Sequence, residues 1–329
     1  MRILFPFLAV LVLILSALLG VGALKLHVFF GVVIPYGAFL VFVLGVIYRV
    51  VRWGCSPVPF HIPTTCGQQK SLPWIKESKI ENPSSWGGVI VRMALEVFLF
   101  RSLFRNLKTE LRNGKIVQGS TKWLWLAGLA FHWSFFIILI RHLRLFTAEV
   151  PKFVMAVEGF DSFFQVGAPL LYITNVIFVI AVTYLFLRRI FIPNVRYISL
   201  ASDYFPLFLL LGIAVTGILM RYFIKVDVIG VKELTMSLVS LAPKIPEGIG
   251  VLFYIHLFLV SVLFAYFPFS KLVHMAGVFL SPTRNLTNNS RIKRHVNPWN
   301  YPVKVHTYEE YEDEFREFMK DAGIPVEKE

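Results

Sequence analysis

Six apolar runs divide the chain, at about 3–24, 27–48, 122–143, 164–187, 204–224 and 249–270. A helix of about 20 apolar residues covers the roughly 30 Å of hydrocarbon in a bilayer. The pattern therefore predicts an all-α integral membrane protein with six transmembrane helices. The first run follows Arg2 and has the look of a leader. No small-residue cleavage site and soluble domain follow it, and a second span comes at once, so it is expected to be retained.

The polar stretches carry their own pattern. Residues 49–85 are rich in Pro and polar groups and read as a loop. Residues 86–112 predict one amphipathic helix. Val89, Ile90, Met93, Ala94, Val97 and Phe104 share a face, with Arg92, Glu96, Arg101 and Arg105 mostly away from it. Such a helix lies on a membrane surface or packs against a partner. Residues 271–329 are polar, and YEEYEDEFREFMKDAG predicts a short soluble helix ended by Gly323 and Pro325. A tail this short has too little core to stand alone, which points to docking. The expected divisions are 1–48 (two spans), 49–121 (loop and amphipathic helix), 122–275 (a four-helix core) and 276–329 (tail).

Composition fits a lipid environment. Of the 329 residues 56% are hydrophobic and 16% charged, and a soluble domain of that kind would expose large apolar patches. The net charge of +13 does not read as nucleic-acid binding, because the basic residues sit beside the apolar runs. With alternating spans, Arg2, Arg49, Arg52, Lys115, Lys122, Arg188, Arg189, Arg196, Lys271 and Arg284 share one side. That bias predicts the cytoplasmic membrane with both termini in the cytoplasm. Lipid and its anionic headgroups are the expected partners of these residues. Cys55 and Cys66 are the only cysteines, which excludes a disulfide framework and a four-cysteine cluster within the chain. They read as a redox pair near a partner or as two unrelated thiols.

The candidate chemistry is in histidines. His132 and His142 belong to the third run, and His256 and His274 to the sixth. Ionisable groups at membrane depth are expensive and mark functional sites. Runs three and six are antiparallel, so His142 matches His256 and His132 matches His274. Ten residues span about 15 Å of helix and leave the first two imidazoles about 80° apart. Eighteen residues span about 27 Å and five full turns, which puts the second two on one face. The unequal rises call for tilt or a distortion near Pro268. Each level offers two imidazoles and no thiol, which suits the axial positions of an iron porphyrin better than a structural zinc. No CxxCH motif is present, so the expected cofactors are two non-covalent haems b. Gly128, one turn before His132, would let a ring approach the backbone. Arg141, Arg144 and Lys271 are candidate propionate contacts. His27, His61, His295 and His306 lack facing partners and read as ordinary polar residues. A six-helix transporter and a cofactor-free anchor remain open as other classes. Transporters often carry inverted repeats and broken helices. Neither is evident, although Pro169 and Pro206 fall within the expected spans as candidate interruptions.

The histidine spacing resembles that of the nitrate reductase gamma-subunit (NarI-like) cytochrome b family, over about residues 90–275. The segments CGQQKSLPWIK, ENPSSWGGVIVRMALEVFLFRSLFRN, FHWSFFIILIRHLRLF and HVNPWNYPVKVHTYEEYEDEFRE also resemble the cytochrome b subunits of the DsrMKJOP complexes of dissimilatory sulfite reduction. The resemblance implies a bundle of four to five helices holding two bis-histidine haems on His132, His142, His256 and His274. It implies menaquinol (or menaquinone) at the outer haem and a cytoplasmic iron–sulfur acceptor of the DsrK kind, with DsrJ, DsrO and DsrP as further subunits. Glu149, Lys152, Asp161 and Asp227 are then quinol-site candidates, each also readable as a solvated loop charge. The two early spans and the 49–85 loop replace a single span of the nitrate reductase anchor, which argues against a nitrate reductase partner. Membrane anchors of heterodisulfide-type reductases remain an alternative.

Overall fold

A computed structural model of the chain describes residues 2–56, 67–162, 170–289 and 305–328. Among the described residues, six helices are long and apolar enough to cross a membrane: α1 (Leu4–Gly22), α2 (Phe29–Gly54), α4 (Lys122–Leu145), α6 (Ile173–Phe191), α7 (Ala201–Ile224) and α9 (Val251–Phe269). Shorter helices are α3 (Trp86–Leu99) and α5 (Lys152–Asp161). Also short are α8 (Val228–Val239), α10 (Lys271–Leu280) and α11 (Tyr308–Asp321). His61, Cys66, His295 and Pro169 fall outside the described residues.

The spans form two apolar groups. Val10, Ala17, Val21, Phe30, Leu209, Leu234, Tyr254 and Leu259 build one, joining α1, α2, α7, α8 and α9. Phe178, Val182 and Leu210 build the other, with Phe131, Phe135 and Ile138 of α4 against α6 and α7. Helix α4 packs chiefly along α6, and α9 along α1, α2 and α7. The two histidine-bearing spans thus stand on opposite sides of a seam.

Three elements differ from the sequence expectation. The fourth span begins at Ile173 rather than 164, and Asp161 supplies its start. The Thr174 amide donates to Asp161 Oδ1 at 2.8 Å and the Thr174 hydroxyl to Oδ2 at 2.6 Å. The 86–112 helix stops at Leu99, where Phe100 adopts a left-handed backbone (φ 50°). After a short turn of helix, strands β1 (Leu107–Arg112) and β2 (Lys115–Ser120) pair antiparallel. Asn113 and Gly114, both at positive φ, make the tight turn that such a hairpin favours. The sixth span also breaks. Helical geometry ends at Phe267–Phe269, Ser270 is extended (φ −115°, ψ 177°), and a new helix starts at Lys271. Pro268 is pinned there by Arg49 Nε donating to its carbonyl at 3.0 Å. Gly45 of α2 approaches so closely that an added Cβ would lie 2.6 Å from the Pro268 Cβ.

A polar clasp caps the bundle at the end where α1 starts and α9 finishes; we call this the cap end. Arg92 is buried instead of solvated. Its guanidinium donates to the carbonyls of Glu81 (3.2 Å), Arg284 (2.5 Å) and Leu286 (2.8 Å). Burial pushes it below the ordinary arginine value. Asn82 and Asn288 bond each other, and the Asn288 amide donates to the Pro83 carbonyl at 2.7 Å. Residues 284–288 are therefore built into the cap. The apolar side of α3, with Trp86, Ile90, Val91 and Phe98, is exposed. Trp125 and Trp133 of α4 tie its last turn down by donating to the Leu99 (2.7 Å) and Phe98 (3.0 Å) carbonyls.

Candidate functional site

The break at Pro268 positions His274. A continuous α9 would carry His274 along the helix axis, whereas the extended Ser270 turns the next helix toward α4. The five-turn registration of the sixth run is thus replaced by a bend. The His132 and His274 rings come to 5.9 Å between centroids, nearly perpendicular at 77°. Phe100 and Phe131 lie edge-on to His132, at 4.9 and 4.8 Å. At the far end of the bundle, His142 and His256 lie within electrostatic reach of each other. The seam thus holds two imidazole levels.

Each ring is fixed through the same nitrogen. His132 Nδ1 meets the Gly128 carbonyl at 2.7 Å, His142 Nδ1 the Ile138 carbonyl at 2.7 Å, and His274 Nδ1 the Lys271 carbonyl at 2.7 Å. A carbonyl only accepts, so these nitrogens donate. His256 Nδ1 meets the Thr216 hydroxyl at 2.9 Å. That hydroxyl directs its own proton to the Gly212 (2.8 Å) or Ile213 (3.0 Å) carbonyl, so its oxygen accepts from His256. All four Nε2 atoms are left as lone-pair donors. A histidine whose second nitrogen is so anchored is a typical metal ligand.

The donor set fits a porphyrin iron. Two metal–imidazole bonds of about 2 Å plus the ring radii put opposed centroids about 6 Å apart, close to the 5.9 Å at the cap end. Among the described residues no three His, Cys, Asp or Glu side chains gather to hold a bare ion. A metal held by two protein ligands per level would need its remaining ligands from elsewhere, and a porphyrin supplies four. Gly128 contributes its carbonyl, and a Cβ placed on it would point at Leu103.

The other candidates are placed as follows. Arg141 is buried, with Nε 3.1 Å from Asp161 Oδ2 and Nη2 donating to Asn175 Oδ1 at 2.8 Å. Its guanidinium and that of Arg221 lie over the Tyr172 ring, at 3.7 and 4.1 Å. Asp161 joins Arg141 to the start of α6. Arg144 pairs with Glu158 at 2.6 Å, and Lys271 with Asp203 at 2.7 Å. Asp227 caps α8 by accepting from the Ile229 amide at 3.0 Å. Glu149 and Lys152 are exposed in the far-end connection. Near the cap, Cys55 is free and exposed. His27 Nδ1 meets the Lys25 carbonyl at 3.0 Å, and its ring lies edge-on to Tyr254. His306 lies 3.6 Å from Glu314. Thr216, Arg221 and Asp203 had no signal of their own in the sequence.

Spans, seam and paired imidazoles define a polytopic membrane protein with the donor set of a b-type cytochrome. Residues 90–295 match the nitrate reductase gamma subunit family, and the chain belongs to it. It is 48% identical over 279 residues to the Hdr-like menaquinol oxidoreductase cytochrome b-like subunit of Archaeoglobus fulgidus, covering 83% of each chain. The subunit of the same description from Archaeoglobus profundus is 46% identical over 282 residues, again 83% of each.

Proposed function

We propose that this chain is the dihaem cytochrome b subunit of a menaquinol-oxidising complex, of the DsrM kind, in the cytoplasmic membrane. Its cap end faces the cytoplasm. The observation that carries the reading is the common anchoring of all four histidines through Nδ1, with Nε2 free at two levels of one seam. Bound haem would supply reversible one-electron chemistry without proton uptake. His142 and His256 would hold one haem, and His132 and His274 the other. Arg141, Arg144 and Lys271 are the cations nearest these ligands in sequence, and Arg221 joins Arg141 over Tyr172. Menaquinol as donor is supported by the names of both relatives. It would reach the His142 end, where Glu149, Lys152 and Asp227 face outward and Asp161 braces Arg141. Electrons would leave at the cap end to an iron–sulfur subunit resembling DsrK, with DsrJ, DsrO and DsrP completing the complex. The sulfite-respiration partner rests on the resembling segments. The Hdr-like names of the relatives favour, as a second reading, a heterodisulfide-type partner.

Pyridine haemochrome stoichiometry on the purified protein tests the reading. Two haems per chain are expected. His142→Ala or His256→Ala should remove one, and His132→Ala or His274→Ala the other. A colourless protein after reconstitution, or both haems surviving the loss of His142 and His274, overturns it. Co-purification identifies the partner.

A further inference from the structure

Asp203 is a buried acid that the proposed electron path does not use. It sits in the first turn of α7, with its side chain 4% exposed. A buried carboxylate is costly unless it is paired and hydrogen-bonded. Here Oδ2 accepts from the Leu200 amide at 3.0 Å, and Arg189 Nη1 lies 4.0 Å from it. Oδ1 accepts from Lys271 Nζ at 2.7 Å. The Leu200 bond is an ordinary helix cap. The Lys271 bond reaches further, because Lys271 opens α10 beyond the break in α9. On the near side of that break, the Tyr266 hydroxyl donates to the Ser202 carbonyl at 3.3 Å. The first turn of α7 thus grips α9 before the break and α10 after it.

His274 depends on that grip. The residue is exposed, so packing does little to hold its ring. Its Nδ1 instead meets the carbonyl of Lys271 at 2.7 Å. The residue whose ammonium is tied to Asp203 is therefore the one whose carbonyl orients the imidazole. Helix α7 carries no histidine, yet it reaches both imidazoles of the sixth run. Thr216 meets His256 directly, and Asp203 reaches His274 through Lys271. Thirteen positions separate Asp203 from Thr216, about 20 Å of helix. We infer that Asp203 is a positioning residue of the cap-end level. By holding Lys271 it fixes the angle of α10 to α9, and with it the place of His274 Nε2. Lys271 then serves His274 through its carbonyl, its ammonium being committed to Asp203 and not to a propionate. This rests on the function proposed above.

The haem-loaded full chain tests this by electron paramagnetic resonance of its ferric state, and the apoprotein by titration with haem. The largest g-value of a bis-histidine ferric haem follows the angle between its imidazole planes. The cap-end signal is the one that His132→Ala removes. Asp203→Asn and Lys271→Gln should both move that g-value and weaken cap-end haem binding about tenfold or more. Lys271→Arg, which keeps the ion pair, should recover most of both. The far-end signal should stay in place throughout. The Lys271 side chain is 80% exposed, so Lys271→Gln should fold even where Asp203→Asn does not. Its shift should persist when haem dimethyl ester, whose propionates are blocked, replaces haem. A shift that vanishes with the ester puts Lys271 on a propionate and overturns the positioning role. So do wild-type g-values and affinities in both variants, and so does an equal loss at both levels. A wild-type chain that takes up no haem overturns the function proposed above instead.

Discussion

Three of the four imidazoles donate Nδ1–H to a backbone carbonyl of their own helix or turn. The fourth uses a side chain from another span, Thr216 of α7. The difference has a consequence. Helical carbonyls cannot be mutated away, but Thr216 can. Thr216→Val keeps the shape and removes the acceptor, leaving a buried N–H unpaired at about 1–3 kcal/mol. Loss of an outer-shell partner typically weakens metal binding 10- to 100-fold. Titration of the apoprotein with haem should show that loss at the far-end level only, with Thr216→Ser restoring it. Equal affinities for both levels in Thr216→Val would remove Thr216 from the site. The four histidines were legible in the sequence, because polar groups spaced within apolar runs stand out against their neighbours. Thr216 was not, since a threonine in a span usually satisfies itself on the preceding turn, as this one also does. Asp203 was hidden for another reason. An acid in the first turn of a helix reads as a cap for that helix, which this one also is, and only the break in α9 brings Lys271 onto it.

The six spans were legible at the level of elements because hydrophobic length is a property of the run itself. Their ends were not. Hydropathy continues through Pro169–Tyr172, so nothing local places the start of α6 at Ile173; the cap that does so comes from Asp161, 13 positions upstream of Thr174. The hairpin had a signal in Asn113–Gly114, masked by the strong helical period of the residues before it. Pro268 marked the bend in the sixth span, and its direction comes from α2 through Gly45 and Arg49. The Asp161 cap also bears on stability. Arg141 and Asp161 are both nearly inaccessible, with side-chain exposures of 8% and 2%. Breaking such a pair leaves a buried charge at roughly 3–5 kcal/mol. Asp161→Ala should therefore lower the melting temperature and release the haem beside His142, while the cap-end haem stays. Thermal melts followed in the Soret band check this. A variant of wild-type stability that merely turns over slowly would instead put Asp161 in the quinol site.

On the proposed function, the arrangement of the whole molecule would separate charges. The His142/His256 level lies at one end, and the His132/His274 level lies under the polar clasp at the other. Ten residues of α4 divide the levels, about 15 Å along the helix. Protons given up at the far end would stay on that side, while electrons crossing the seam would carry negative charge toward the cap. Moving one charge across a potential of 100 mV is worth about 2.3 kcal/mol, so turnover should both build a potential and be slowed by one. Sealed vesicles holding the complex, supplied with menadiol and a cytoplasmic-side electron acceptor, should give a potential-sensitive dye signal, negative on the cap side. An ionophore should abolish the signal and raise the rate. The charged asymmetry of the chain orients it for this. Arg49, Arg188, Arg189 and Lys271 gather at the cap end, and the proposed orientation with that end in the cytoplasm follows the positive-inside rule. Quinol oxidation without any dye signal would mean that quinol enters at the cap end, so that protons and electrons leave on one side and the seam carries no net charge.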